Sequence, residues 1–354
     1  MEQRSSTHAV IEAAFPGRSA VPVVLAASAA FVPVCAIVIR SLAKSADPER
    51  LYDVVVLHRE IDGEGQALVA RTVRDFPNVS VRFYNTSEIT DRFQLRPIEH
   101  IPIETYYRFL IPEIIVGYEK VLYLDCDLVC LKDVGKLYDT DLGDNWIAAV
   151  KDVDMQGQAA RDRGMKFYLQ DRLGMKDPSL YFQAGVLLLN TIALKEVHTT
   201  DEWLTFASEE YRYGDQDILN RFCRGHVLYL DMTWNVLADC GNFRVPVLIE
   251  KGPSDNKEAY REARKDPAVV HYAGREKPWN TKNCDLASCF WEIARETPLH
   301  QQLQSLLNES AASRDPSQAP DPRNGERRAV RFFKRICPHF LFSFARKIKR
   351  ALHL

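Results

Sequence analysis

The chain has 354 residues, of which 46% are hydrophobic and 27% charged, with a formal net charge of −2. Those values are close to soluble globular averages and exclude general binding of nucleic acid by the body of the chain. The charge is uneven, because Arg323 to Leu354 holds ten Lys or Arg against the single acid Glu326, which predicts a negatively charged partner for the tail.

Residues 1–19 read as a loosely ordered leader. Ala20 to Ile39 carries no formal charge and has the length of a membrane span. Pro22, Pro33 and the run Ala26-Ala-Ser-Ala-Ala30 divide it instead into a strand, Val21–Ala26, a tight turn and a helix, Val32–Leu42. The polar leader before it argues against a cleavable signal peptide. Tyr52–His58 predicts a buried strand, Gln66–Asp75 a helix and Val79–Tyr84 an alternating strand. Thr105–Leu110 has helical spacing and should stop before Pro112. Val121–Leu124 reads as a buried strand ending in Asp125 and Asp127, and the two-residue period of a strand would aim both carboxylates to one side.

Trp146–Val150, Phe182–Asn190, His226–Leu230 and Val269–Tyr272 predict further strands. Asp201–Tyr211 and Asp215–Cys223 predict helices, the second with acids suited to the positive end of its dipole. Strands alternating with helices predict an open α/β sheet with a ligand crevice at the strand ends. The domain thus runs over 20–308. Residues 309–326 hold three prolines among polar residues and read as a linker. Residues 327–354 mix basic and aromatic residues in two short amphipathic helical segments around Pro338. Such a tail suits an anionic membrane surface, with docking onto the body as the alternative. The eight cysteines, at 35, 126, 130, 223, 240, 284, 289 and 337, form no CxxC pair. They read as reduced thiols of a cytoplasmic protein, and nothing completes a zinc site around Cys284 and Cys289.

Carboxylates at the end of a buried strand need compensation. A divalent cation at Asp125 and Asp127 would supply it and could hold a diphosphate. Five blocks then occur in order: Thr105-Tyr-Tyr-Arg-Phe-Leu-Ile-Pro112, Lys120-Val-Leu-Tyr-Leu-Asp-Cys-Asp127, Phe182-Gln-Ala-Gly-Val-Leu-Leu-Leu-Asn190, Asp215-Gln-Asp-Ile-Leu-Asn220 and His271-Tyr-Ala-Gly-Arg-Glu-Lys-Pro-Trp279. Together they resemble glycosyltransferase family 8, in particular its bacterial lipopolysaccharide α-galactosyl- and α-glucosyltransferases, over roughly residues 20–290.

The resemblance implies a GT-A type, Rossmann-like nucleotide-sugar domain with a mixed central sheet. It implies retaining transfer of glucose or galactose from UDP-glucose or UDP-galactose, assisted by Mn²⁺ or Mg²⁺, to a glycolipid or cell-surface polysaccharide precursor. Asp125, Asp127 and His271 would be the metal ligands, a mixed O/N set suited to Mn²⁺. Ala26, Ala27, Arg108, Cys126, Gln183, Ala184, Gly274 and Lys277 would join the two aspartates in contacting the donor. Asp215 and Gln216 would stand beside the donor sugar, and His100 and Asp152 on the acceptor side.

Plainer roles exist for several of them: an N-cap for Asp215, an ion pair with Glu104 for Arg108 and a surface position for His100. Glutamine is a poor nucleophile, so the resemblance favours front-face attack by the acceptor hydroxyl. Two features depart from the family pattern. Gln183 stands where asparagine is usual, and Ser28 and Ala30 replace an acid and an amide in the loop after the first strand. That altered loop keeps open a non-catalytic sugar-nucleotide or glycan binding protein. A nucleotidyltransferase would need phosphate-gripping residues in Leu25–Phe31, which has none.

Overall fold

In a computed structural model of the chain, residues 9–95, 97–98 and 101–313 are described. Ten strands form two sheets. They are β1 (Ala20–Ala26), β2 (Leu51–His58), β3 (Val79–Asn85), β4 (Lys120–Leu124), β5 (Leu128–Cys130), β6 (Ile147–Lys151), β7 (Phe182–Asn190), β8 (Val227–Tyr229), β9 (Val236–Leu237) and β10 (Val269–His271). The larger sheet has the order β3-β2-β1-β4-β7-β6-β8 and the smaller one β5-β10-β9. Strands β1 to β4 pair in parallel, whereas β7 runs antiparallel to both β4 and β6. The mixed α/β sheet agrees with the fold that the resemblance implied.

Buried apolar runs explain the strands. Every residue of β1 is buried, and β7 is buried from Phe182 to Leu189. Helix Val32–Ser45 packs its apolar residues on one face of the sheet, with Val23, Leu25 and Val54. Tyr106, Tyr107, Phe109 and Trp203 cover the other face. Strand order turns at β1, with β2 on one side and β4 on the other. A crevice opens at such a switch point, outside the carboxyl ends of the strands, and Ala26 and Asp125 stand there.

Several expectations change in detail. Among the described residues no helix is long and apolar enough to cross a membrane. Ile11 pairs with Ile115, and the Ala14 N–H donates to the buried Asp53 carboxylate at 3.0 Å, so this stretch of the expected loose leader is tied down. The helix expected over 66–75 runs Gly63–Arg71, and that expected over 201–211 runs Thr200–Phe206. The 3₁₀ turns of Ile103–Leu110 continue into a short helix, Ile111–Ile114, that contains Pro112. Proline is tolerated in a first helical turn because that N–H needs no partner there.

The last helix, His300–Ser313, extends into the expected linker. The rest of that linker and the tail 327–354 lie outside the described residues. Cys240 and Cys284 form a disulfide, contrary to eight reduced thiols. Their two segments meet in an antiparallel bridge, a contact that a sequence separation of 44 hides.

Candidate active site

Strand β4 ends at Leu124, one residue before the acidic pair. Asp125 and Asp127 therefore face one place through the bend joining β4 to β5, not through strand alternation. Strand β10 pairs antiparallel with β5, setting His271 opposite Leu128. The Tyr272 N–H donates to the Asp127 carbonyl at 2.8 Å. As a result His271 Nε2 lies 3.0 Å from Asp127 Oδ1 and 3.8 Å from Asp125 Oδ2. One ligand atom from each of the three falls within 4.8 Å of the others. Two carboxylate oxygens and an imidazole nitrogen this close fit a divalent cation such as Mn²⁺.

The histidine tautomer follows from its neighbours. The Gly185 N–H donates to Gln183 Oε1 at 2.5 Å, which fixes the oxygen of that amide. Asn235 Nδ2 donates to the same oxygen at 2.6 Å. Asn235 therefore turns its Oδ1 to His271 Nδ1, 3.0 Å away. Only an Nδ1–H can satisfy that oxygen, so Nε2 is the ring nitrogen turned to Asp125 and Asp127, where it can bind a cation. Gln183 Oε1 is committed to this relay, which leaves the Nε2 side of the amide for a ligand.

Arg108 is buried and spends its donors inside the protein. They reach Asp125 at 2.9 Å, Asp215 at 3.0 Å, the Ala184 carbonyl at 2.5 Å, the Thr105 carbonyl at 2.8 Å and the Tyr123 hydroxyl at 3.0 Å. Its guanidinium also lies over the Tyr123 ring at 4.0 Å. It does not pair with Glu104; its place is to hold Asp125 and Asp215. Burial pushes the Asp215 carboxyl up to about 6, with Arg108 and Thr105 opposing. Asp215 sits in the first turn of helix Gly214–Phe222, whose N-cap is Tyr213, so the capping role does not apply.

Gln216 Oε1 accepts from the Ala184 N–H at 2.9 Å, and Nε2 donates to Asp152 Oδ2 at 3.0 Å. Asp152 caps helix Val153–Arg161 through the Met155 N–H. Burial, with Asp154 adding to it, pushes Asp152 up to about 6. Burial would also raise Asp127, but Lys277 and His271 outweigh it and hold that carboxyl well below the usual range. Lys277 Nζ bonds Asp127 and, at 2.6 Å, the Tyr272 carbonyl. Gly274 has φ +99°, in the left-handed region that favours glycine.

These groups line one cavity of about 460 Å³, together with Ala26, Ala27, Ser28 and Cys126. Cys126 Sγ donates to the Ala26 carbonyl at 3.2 Å. His100 lies outside the described residues. A larger cleft of about 1000 Å³ opens around Lys120 and Trp146, but Asp125, Asp127 and His271 all line the smaller cavity and none of them lines the larger cleft. Sequence reading missed Gly185, Asn235, Asp154 and Arg244. A glycine inside a strand was a usable signal for the first, marking close approach. A Cβ on Gly185 would lie 2.3 Å from His271 Cε1 and 2.7 Å from Asp125 Oδ2. The others come from three separate short helical segments whose meeting no local pattern announces.

Comparison with known proteins points the same way. The family model for glycosyl transferase family 8 matches residues 22–283. General stress protein A of Bacillus subtilis (strain 168) is 28% identical over 252 residues, covering 68% of this chain and 81% of that protein. A lipopolysaccharide 1,2-glucosyltransferase of Escherichia coli (strain K12) is 27% identical over 215 residues, 58% of either chain. Among solved structures, the bifunctional glycosyltransferase WbbM superposes with a TM-score of 0.75 at 31% identity, covering 84% of this chain and 53% of that longer one. The galactosyltransferase LgtC, solved with donor and acceptor sugar analogues, gives 0.64 at 28% identity and covers 81% of this chain and 100% of that one.

Proposed function

The chain belongs to glycosyltransferase family 8, and from that membership we propose that it transfers glucose or galactose from a UDP-sugar to a hydroxyl of a glycolipid or cell-surface polysaccharide precursor, with retention at the anomeric carbon. The observation that carries this reading is the convergence of Asp125, Asp127 and His271 at the mouth of β1 and β4. A divalent cation bound there, Mn²⁺ or Mg²⁺, would offset the negative charge that grows on the departing UDP.

The chain's own residues supply the rest. Ala26 and Ala27 offer backbone groups to the uracil, beside Cys126. Lys277 offers a cation to the diphosphate, and Gly274 allows its backbone to approach. The free side of Gln183, Ala184 and Asp215 face the donor sugar. His100 and Asp152 belong to the acceptor side. Front-face attack fits the commitments of Gln216: its oxygen already accepts a backbone N–H and its nitrogen is held by Asp152. The acceptor hydroxyl would attack on the face that UDP leaves, passing its proton to a phosphate oxygen. Residues 327–354 would hold the enzyme on the inner, cytoplasmic face of the cell membrane.

The test is UDP release from UDP-glucose and UDP-galactose, with and without Mn²⁺, water serving as acceptor where no other is supplied. Release with one of the two, dependent on the cation, is expected. Asp127→Ala should lower it by roughly 1000-fold, since the cation's electrostatic effect amounts to several kcal/mol. A folded variant with unchanged turnover would refute the metal assignment. No release from any UDP-sugar would favour a non-catalytic binding protein.

A further inference from the structure

A second groove of about 490 Å³ adjoins the donor cavity. Asp154, Arg244, Ala273 and Gly274 line both. Phe243 stands in the wall of this groove and is 53% exposed. A single exposed aromatic is ordinary on a protein surface. What distinguishes this one is how firmly its loop is held. The buried Asp239 carboxylate accepts three successive backbone N–H groups, from Phe243, Arg244 and Val245, at 2.9, 2.8 and 2.9 Å. Arg244 Nε then bonds Asp154 Oδ2 at 2.7 Å, and its Nη2 reaches the Ala273 carbonyl at 2.9 Å. The Cys240–Cys284 disulfide closes the base of the loop.

The boundary between the two cavities holds an unmet acceptor. Asp154 Oδ1 is buried and has no hydrogen-bond partner among the described residues. Such an oxygen is costly unless a donor reaches it in the working complex. The groove also presents the Thr281 hydroxyl and the Asn283 amide. A flat aromatic face with hydrogen-bonding groups around it is the chemistry of a pyranose ring, which has an apolar C–H face and a rim of hydroxyls. A lipid surface would call for an apolar surround, and Asp154, Asp239, Thr281 and Asn283 are polar.

We propose that this groove is a saccharide subsite for the second sugar of the acceptor, the unit one glycosidic bond beyond the attacked residue, with Phe243 as its stacking face. The inference rests on the transferase reading, and it implies an acceptor that is at least a disaccharide. Binding of methyl glucoside and methyl galactoside would be compared by calorimetry with that of maltose, cellobiose and lactose. The full-length protein would be used, loaded with UDP and Mn²⁺. At least one disaccharide should bind about 10-fold tighter than its monosaccharide, the scale of one stacking contact.

Phe243→Ala should shrink that ratio to within about 3-fold, and Phe243→Trp should keep it, with circular dichroism showing both variants folded. Disaccharides that bind no tighter than monosaccharides, no saccharide binding at all, or a ratio kept in Phe243→Ala would each overturn the subsite. UDP-sugar hydrolysis by the same preparation separates the two readings. Hydrolysis with a failed ratio leaves the transferase standing without this subsite, whereas absent hydrolysis removes the transferase itself.

Discussion

Gly185 allows Asp125, Asp127 and His271 to assemble, because any side chain there would occupy the space that His271 and Asp125 share. The relay from Gly185 through Gln183 and Asn235 then presents the correct nitrogen of His271. Its energetic meaning is orientation: partners of this kind typically alter metal affinity by about 10- to 100-fold. Asn235→Leu should therefore weaken Mn²⁺ binding by that factor in the absence of nucleotide, read by titration calorimetry or the Mn²⁺ paramagnetic signal. Unchanged affinity in a folded variant would show that the ring is oriented by packing alone. The three candidate ligands could be picked out in sequence because they stand in blocks that resemble the family, an Asp-x-Asp after an apolar run and a histidine ahead of a Gly-containing loop, and the structure brings them together. Asn235 could not be, since it lies 36 residues from its partner and 52 from Gln183, with no pattern linking them. The partners of Arg108 were hidden for a similar reason: Asp125 and Asp215 come from distant segments that meet only in the fold.

At the scale of elements, the strands of the larger sheet were legible because apolar runs bounded by polar turns have few other uses in a chain of this composition, whereas β5 and β9, of three and two residues, were too short to show such a run. Boundaries were less legible. Strand β4 ends before Asp125 because that residue turns toward the cavity, although its N–H still donates to the Gly185 carbonyl at 2.8 Å. The leader is held by Asp53, an acid inside β2 that Arg82 meets with two nitrogens and Tyr118 with its hydroxyl at 2.9 Å. Sequence gave no hint that this carboxylate would also bond Ala14. The C-terminal tail lies outside the described residues, and its proposed contact with anionic lipid rests on its basic, aromatic sequence alone. Deleting 327–354 should release the protein from vesicles containing anionic lipid, while UDP release with soluble substrates stays within about 2-fold. Each basic residue near such a surface contributes roughly 1 kcal/mol, so the loss should be large and should weaken with salt. Vesicle binding that survives the deletion would assign membrane contact to another surface.

The whole molecule carries a cost that the site imposes on the fold. Asp152 and Asp215 are both buried, and both titrate near 6. Aspartates in the unfolded chain titrate near about 3.9. Between roughly pH 4 and 6 the folded protein therefore binds more protons at these two positions than the unfolded one. Stability conferred by protonation is present at low pH and is lost as pH rises through that window. Burial lowers the pKa of His58, so this ring acts in the opposite sense and favours the folded state as pH climbs through about 6.5. The depressed Asp127 adds stability that is lost only at more acid pH.

Two carboxyls against one imidazole leave a net fall. With chelator present, the melting temperature should drop by roughly 3–6 °C from pH 5 to pH 7, given about 1.4 kcal/mol per pKa unit and about 2–4 °C per kcal/mol for a domain of this size. Saturating Mn²⁺ should shrink that drop, because bound positive charge favours the ionised carboxylates and a ligand of the folded state adds stability. A melting temperature that is flat or rises with pH in chelator would mean that neither carboxyl keeps its proton near neutrality. In that case the acidic wall of the cavity would be ionised before any cation arrives. With the predicted result, proton release from Asp152 and Asp215 accompanies loading of the site, so cation affinity should itself rise across the same pH range.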